Sequence, residues 1–511
     1  MNVVVVVVTR GGESFERLTG SSHTHTHTHT HTYKIIVSII MWVDVSHHLF
    51  PPTAGEIGLA SSLGFTWTML RFTVAFLLSI PTAMVFRVLP NVPTLRHIYA
   101  IMTGFCLLYY PFGAGVLHLF VSSAVVYGCM LLSPRNCGSL AWVFSMGYLI
   151  LNHVNQASGL SWKEGNLDFT GAQMVATLKL ISVAVCYQDG HRLAVSKSVS
   201  KLHPYAMSKR LDVRPTVLEF YSYLLSIGSL LSGPCYEFKD YIAYIHRRGD
   251  WKSIPNPLVP GTLKFIKAVF CVGLWMYVYN HLGFDVDFIE GAAWQGLPIV
   301  PRVLLLWVTV VAYRMKYYGV WTFSESMMIF SGFGYRPGGE EGGDKGFDWE
   351  RYATSHILSV EFNPSIADTP RHWNICTGRW LRHYVYERLS AVGDKPSFFN
   401  MLVTQLVSGV WHGLLPGYWL FFATSAFIFQ ASRAIYRYER NWPSKWRNWY
   451  VWWSLKVVTS ALVLNYAGSA FVVLEMGESL RVWRSVYYFG HIWTVAVLAL
   501  SHIVPPKKRR D

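Results

Sequence analysis

The stretch Ser408-Gly409-Val410-Trp411-His412-Gly413-Leu414-Leu415-Pro416-Gly417-Tyr418-Trp419 decides the fold class of this chain. It sets a histidine in a run, Phe398 to Phe429, that contains no Asp, Glu, Lys or Arg. At 1.5 Å of rise per residue, such a run is ample for the ~30 Å hydrocarbon core of a bilayer. An imidazole at that depth is costly. It marks either a functional position or a structural histidine bonded to a carbonyl. Counting back from His412 at helical spacing gives Ser408, Gln405 and Thr404, a polar stripe flanked by Leu402, Leu406 and Val410. The stripe predicts a helix face turned to a wet cavity. Pro416 and Gly417 predict a backbone break one turn past the histidine, which is tolerated at membrane depth where protein lines a cavity.

Composition agrees with a membrane location. Of the 511 residues, 52% are hydrophobic and 16% aromatic, but only 14% are charged, against about 25% in soluble proteins. The expected fold class is therefore an all-α polytopic membrane protein. The formal charge of +15 suits loops facing an anionic cytosolic leaflet. The basic residues sit between apolar runs and form no stripe on a soluble domain, which excludes nucleic-acid binding. The seven cysteines are scattered without a CxxC pair, so neither a disulfide framework nor a zinc site is indicated.

Residues 1–40 read as a low-complexity N-terminal extension, with a valine run and a His-Thr tract from His23 to His31, and Met41 is a candidate start. Residues 41–504 read as one membrane domain and 505–511 as a basic tail, Lys507-Lys-Arg-Arg-Asp511, that argues for a cytosolic C-terminus. Apolar runs place candidate spans at 65–87, 98–114, 115–133, 139–156, 171–188, 261–281, 300–321, 398–413, 416–434, 450–475 and 485–504. That is about ten or eleven transmembrane helices, with Pro111-Phe-Gly-Ala-Gly115 separating two of them. Leu218–Pro234 is flanked by basic loops on both sides and carries Glu219. It reads as a re-entrant helix that needs protein around it. His372 to Arg388 mixes aromatic and basic residues at helical spacing and reads as an amphipathic interfacial helix. No segment specifies an oligomeric state.

Several blocks, taken together and in order, resemble the membrane-bound O-acyltransferases, and within them the lysophospholipid acyltransferases, whose members act in the endoplasmic reticulum membrane. The blocks are Asp168-Phe-Thr-Gly-Ala-Gln-Met174; Leu218-Glu-Phe through Ser232-Gly-Pro234; Lys316-Tyr-Tyr with Trp321 and Ser331-Gly-Phe-Gly-Tyr335; Trp373-Asn374 with Trp380-Leu-Arg; and Trp411-His-Gly with Pro416-Gly-Tyr418. The resemblance implies helices around a central reaction tunnel, open to cytosol for acyl-CoA and to lipid for a lysophospholipid such as lysophosphatidylcholine. It also implies two key positions, Asn374 and His412. Acyl-CoA enters as co-substrate, with no cofactor and no metal.

These residues suit the chemistry. A lipid hydroxyl needs a base before it attacks a thioester, and an imidazole with a pKa near ~6.5 can serve. An asparagine amide cannot trade protons but can donate to a developing oxyanion. Arg379, Arg382 and Lys316 are candidates for the phosphates of CoA. Trp380, Trp411 and Ser408 are further substrate-binding candidates. Direct transfer is preferred to an acyl-enzyme on Ser408 or Cys376. Two alternatives stay open: a transporter or channel with an intramembrane polar path, or a family member that acylates a protein, a sterol or diacylglycerol.

Overall fold

A computed structural model describes residues 48–156, 167–195, 202–338, 346–394 and 397–505. The His-Thr tract, the candidate start at Met41 and the tail from residue 506 lie outside the described residues. The chain enters the membrane region through α1 (Trp67–Val88), α2 (Pro93–Phe112), α3 (Leu117–Leu132), α4 (Cys137–Gln156) and α5 (Thr170–Val195). A shorter segment begins with α6 (Val217–Leu225). Then come α7 (Leu258–Met276), α8 (Ile299–Phe330), α9 (Ile375–Tyr384), α10 (Phe398–His412), α11 (Pro416–Glu439), α12 (Tyr450–Val473), α13 (Met476–Ser485) and α14 (Phe489–Ile503). Among the described residues the only sheet is a two-residue antiparallel pair, Arg336–Pro337 with Phe347–Asp348.

Local chemistry sets the helix ends. Thr66 caps α1 by accepting from the Met69 amide. Thr216 and Glu219 form a reciprocal capping box at the start of α6. Pro93 and Pro416 stand at the first turns of α2 and α11, where a missing N–H costs nothing. Gly113, at φ 50°, turns the chain into a 3₁₀ segment, Gly113–Val116, that interrupts α2 and α3 where the sequence predicts it.

Six helices among the described residues are long and apolar enough to cross a membrane, or seven if the pair α13 and α14, bent by 74°, is one span. This is fewer than the ten or eleven expected, for two reasons. The 98–114 and 115–133 candidates form one helical run of 40 residues, Pro93–Leu132. Of the other expected spans, two fall short on length or on charge. α10 has only 15 residues, about 22 Å. α8 contains Arg302, Arg314, Lys316 and Glu325.

Burial ranks the helices. α7 is peripheral, with 17% of its apolar window buried, whereas α5 is central, with 83% buried. Because every face of α5 meets protein, it can carry polar residues in a hydrophobic setting. Lys179 on α5 donates to the carbonyls of Tyr223 (2.6 Å) and Leu224 (3.2 Å), and to Ser229 Oγ and the Tyr236 hydroxyl (both 3.0 Å). Those bonds pin the segment Val217–Ser232 to α5. Its backbone breaks at Ile227 and Gly228 (φ 51° and 58°), and its middle is buried. It thus has the protein surroundings that the sequence requires of it.

Candidate active site

His412 is the last residue of α10. The helix stops there because Gly413 follows at φ 142°, a conformation that favours glycine. A Cβ on Gly413 would also come within 3.1 Å of the Tyr418 ring. Two residues beyond the break, Pro416 opens α11. Gly417 lets α11 lie directly on the end of α12: its amide donates to the Leu474 carbonyl at 2.6 Å, and a Cβ would sit 2.1 Å from the Ala470 carbonyl oxygen.

The half-buried His412 ring sits among aromatic rings. Phe422 stacks on it (5.2 Å, 24°), Phe471 meets it edge-on (5.0 Å, 83°), and Trp411 and Tyr418 lie at 4.7 and 5.8 Å. No hydrogen bond engages its ring nitrogens among the described residues, so the alternative of a carbonyl-bonded structural histidine is not what the structure contains. The neighbouring histidine, His153 on α4, has that role: its Nε2 donates to the Trp411 carbonyl at 3.1 Å. Sequence reasoning passed over His153, although an imidazole inside a predicted span was the signal that singled out His412.

Asn374 immediately precedes α9, in the left-handed region (φ 43°, ψ 54°), with its carbonyl accepting from the Gly378 amide at 2.8 Å. Asparagine tolerates this conformation better than most side chains. Trp373 packs edge-on against Trp321 (4.9 Å) and Tyr318 (5.3 Å) of α8, with Tyr317 at 6.1 Å. Tyr317 lies 6.4 Å from Phe471, which touches His412. A continuous set of rings therefore joins the Trp-Asn block to the Trp-His block.

The two blocks share a second connection, through α5. Trp411 Nε1 donates to the Met174 carbonyl at 2.9 Å. Trp380 Nε1 donates to the Leu178 carbonyl at 3.1 Å and to Ser182 Oγ at 2.8 Å. Residues 174, 178 and 182 lie one turn apart on one face of α5. Both indoles are buried and both donate to α5, while Trp380 also lines a smaller cavity of about 200 Å³ with Cys376 and Arg379.

A cavity of about 1810 Å³ opens beside α9, α10, α11 and α12. Ile375, Gly378, Arg379 and Arg382 of α9 line it, as do Thr404 and Gln405 of the polar stripe on α10. Ser408 is buried, and neither it, Asn374 nor His412 belongs to the lining. The cavity thus reaches one residue from Asn374 and along the predicted polar face of α10. Its basic residues include Arg371, Arg433, Arg447 and Lys456. Arg382 pairs with Glu387 at 3.0 Å, whereas Arg379 has no ion pair among the described residues. Lys316 is elsewhere, over the rings of Trp275 (5.4 Å) and Tyr313 (5.6 Å).

Among the described residues, His97, Glu219 and His246 could hold a metal ion, each offering an atom within 4.8 Å of the others. Two of those side chains are already engaged. His97 Nδ1 bonds Ser222 at 2.6 Å, and Glu219 caps Thr216. Burial, and after it the positive charge of Arg248, lowers the pKa of His246, and the same charge would oppose a bound cation.

Residues 154–468 match the MBOAT, membrane-bound O-acyltransferase family. The chain belongs to that family and is an acyltransferase. It is 35% identical over 461 residues to lysophospholipid acyltransferase 1 of Arabidopsis thaliana, a match covering 88% of this chain and 97% of the relative. Lysophospholipid acyltransferase 2 of the same plant is also 35% identical, over 89% of this chain and 98% of its own length. The lysophospholipid acyltransferase of Schizosaccharomyces pombe is 28% identical, over 86% and 87%.

Proposed function

We propose that this enzyme transfers an acyl group from acyl-CoA to the free hydroxyl of a lysophospholipid, with His412 as general base and Asn374 as the oxyanion or positioning group. The relatives named as lysophospholipid acyltransferases support the acceptor class, since the match runs through nearly their whole length. The observation that carries the mechanism is the His412 ring, half-buried at a helix break, caged by aromatics and with both nitrogens free of hydrogen bonds among the described residues.

In this mechanism a neutral His412 accepts the proton of the lipid hydroxyl as its oxygen attacks the thioester carbonyl. The Asn374 amide donates to the oxygen that becomes negative. Collapse breaks the C–S bond, and the CoA thiolate takes the proton back from the imidazolium. The thioester is already activated, so acyl-CoA serves as co-substrate and the step calls on no cofactor or metal. Direct transfer fits Cys376 poorly as a nucleophile: burial pushes its thiol up to about 12, which leaves little thiolate at neutral pH. The basic cavity at Arg379 and Arg382 suits the phosphates of CoA. The family and its composition fit a multi-pass protein of the endoplasmic reticulum membrane, with residues 41–504 acting as one catalytic unit and the basic tail in the cytosol.

The test is product analysis by lipid mass spectrometry. Purified protein receives a panel of lysophospholipids and acyl-CoAs, with His412→Ala as control. The wild type is expected to form diacyl phospholipid, lysophosphatidylcholine being an accepted substrate. His412→Ala is expected to lose a factor of ~10²–10⁴ in rate while remaining in the membrane. Undiminished turnover in that variant at equal expression sinks the base assignment.

A further inference from the structure

We propose that Glu325 is a positioning residue for Asn374, acting through the backbone of Thr354. The inference rests on the assignment of Asn374 to the reaction. Glu325 lies on α8, far from Asn374 in sequence, and its carboxylate is 4% exposed. One of its oxygens accepts from the Thr354 amide at 2.7 Å, from Thr354 Oγ1 at 2.5 Å and from the Ser355 amide at 3.4 Å. The other accepts from Lys264 of α7 at 2.6 Å, and Lys264 also meets Glu350 at 3.0 Å. The buried charge is therefore neutralised and its lone pairs are used, the condition under which a buried carboxylate is retained without a large penalty.

The loop that Glu325 grips runs beside the Trp-Asn block. The Thr354 carbonyl accepts from the Ile375 amide at 2.8 Å, and the His356 amide donates to the His372 carbonyl at 2.9 Å. Cys376 Sγ donates to the Ala353 carbonyl at 3.6 Å. These three links, from residues 353, 354 and 356, bracket Asn374 on both sides. Asn374 itself sits in the sparsely populated left-handed region, which persists only where the surroundings over-determine it. Its side-chain direction therefore depends on the backbone that brackets it, and Glu325 grips that backbone through the Thr354 and Ser355 amides and the Thr354 hydroxyl.

The experiment compares purified variants in detergent for kcat, KM for oleoyl-CoA with lysophosphatidylcholine as acceptor, and melting temperature. Glu325→Ala is expected to lower kcat about a hundredfold, the scale of a lost oxyanion donor, with KM for oleoyl-CoA within about twofold. Adding Asn374→Ala to it is expected to cost nothing beyond Asn374→Ala alone, because both remove the same contribution. Glu325→Gln combined with Lys264→Met keeps the acceptor for Thr354 and cancels the stranded charge. It is expected to recover kcat to within about tenfold of wild type. Thr354→Val loses one of the three bonds, is expected to lower kcat about tenfold, and decides the matter if Glu325→Ala does not fold.

Wild-type kcat in folded Glu325→Ala or Thr354→Val, beside an inactive Asn374→Ala, overturns this proposal alone. So do losses that multiply in the double variant. Full activity in Asn374→Ala overturns the assignment of Asn374, and this proposal with it.

Discussion

Trp411 Nε1 donates to the Met174 carbonyl at 2.9 Å, so the residue beside His412 is tied to α5, the most buried of the span helices among the described residues. Trp380 makes the equivalent connection from α9, one and two turns further along α5, to Leu178 and Ser182. α5 thereby acts as a common mount for both blocks. The indoles, which the sequence offers as substrate contacts, also serve as struts.

That explanation makes Trp411→Phe informative. The substitution keeps most of the ring and removes the donor, leaving the Met174 carbonyl unpaired. A loss of ~1–3 kcal/mol in stability is expected. kcat is expected to fall by about tenfold, with KM for lysolipid unchanged. Melting temperature and steady-state kinetics on the purified protein check it; a change confined to KM would argue for substrate contact instead.

Arg379 and Arg382 should behave differently. Arg379 lines both the large cavity and a smaller one of about 200 Å³ on the other side of α9, and has no ion pair among the described residues. Arg382 is held by Glu387. Arg379→Ala is expected to raise KM for acyl-CoA about tenfold and to flatten its salt dependence. Arg382→Ala is expected to have a smaller effect on both. Initial rates at two ionic strengths distinguish the two arginines.

Gly417 admits no side chain. With the Ala470 carbonyl oxygen 2.1 Å from where a Cβ would stand, Gly417→Ala must push α11 off the end of α12, moving Tyr418 and Phe422 away from His412. Loss of folded, monodisperse protein, or of all activity, is the expected outcome on size exclusion and assay. Gly477→Ala, which meets nothing within 4 Å, is the control and should behave as wild type.

Glu56, which precedes the first span, accepts from Arg71 of α1 at 3.1 and 2.9 Å. These bonds, with that from the Thr53 amide, hold the Glu56 carboxyl down at about 2, against an ordinary value of 4.5. A depressed folded-state pKa means that the unfolded chain binds more protons below pH 4.5, so stability falls with falling pH. The contribution is complete above about pH 4.5 and lost as pH drops through about 2. Thermal melting from pH 7 downward should show this acid slope, and Glu56→Gln should reduce it.

Much of the frame was legible in the residues themselves. The charge-free run around His412, the fresh helix start at Pro416 and the 3₁₀ interruption after Pro111 follow from local chemistry: desolvation of charge, the missing N–H of proline and the free φ of glycine; the break itself comes earlier than the sequence predicts, at Gly413 directly after His412. The same local rules foresaw that Leu218–Pro234 must be surrounded by protein, and that Thr404 and Gln405 face a cavity. The span count was less legible, because α8 and α10 trade apolar length for the polar residues they carry. Lys316 shows a further limit: its charge suited a phosphate, but helix geometry points it at Trp275.

The sequence by itself determined that this is a helical membrane protein with an imidazole and an amide set in two recognisable blocks. Only the tertiary structure decided what holds them: His153 against Trp411, two indoles on one face of α5, and Glu325 gripping the loop beside Asn374. The reason is physical. Hydrophobicity, helix breaking and capping act over a few neighbouring residues, and so are written locally. Hydrogen bonds between residues tens to hundreds of positions apart depend on which helix faces meet, and packing alone settles that.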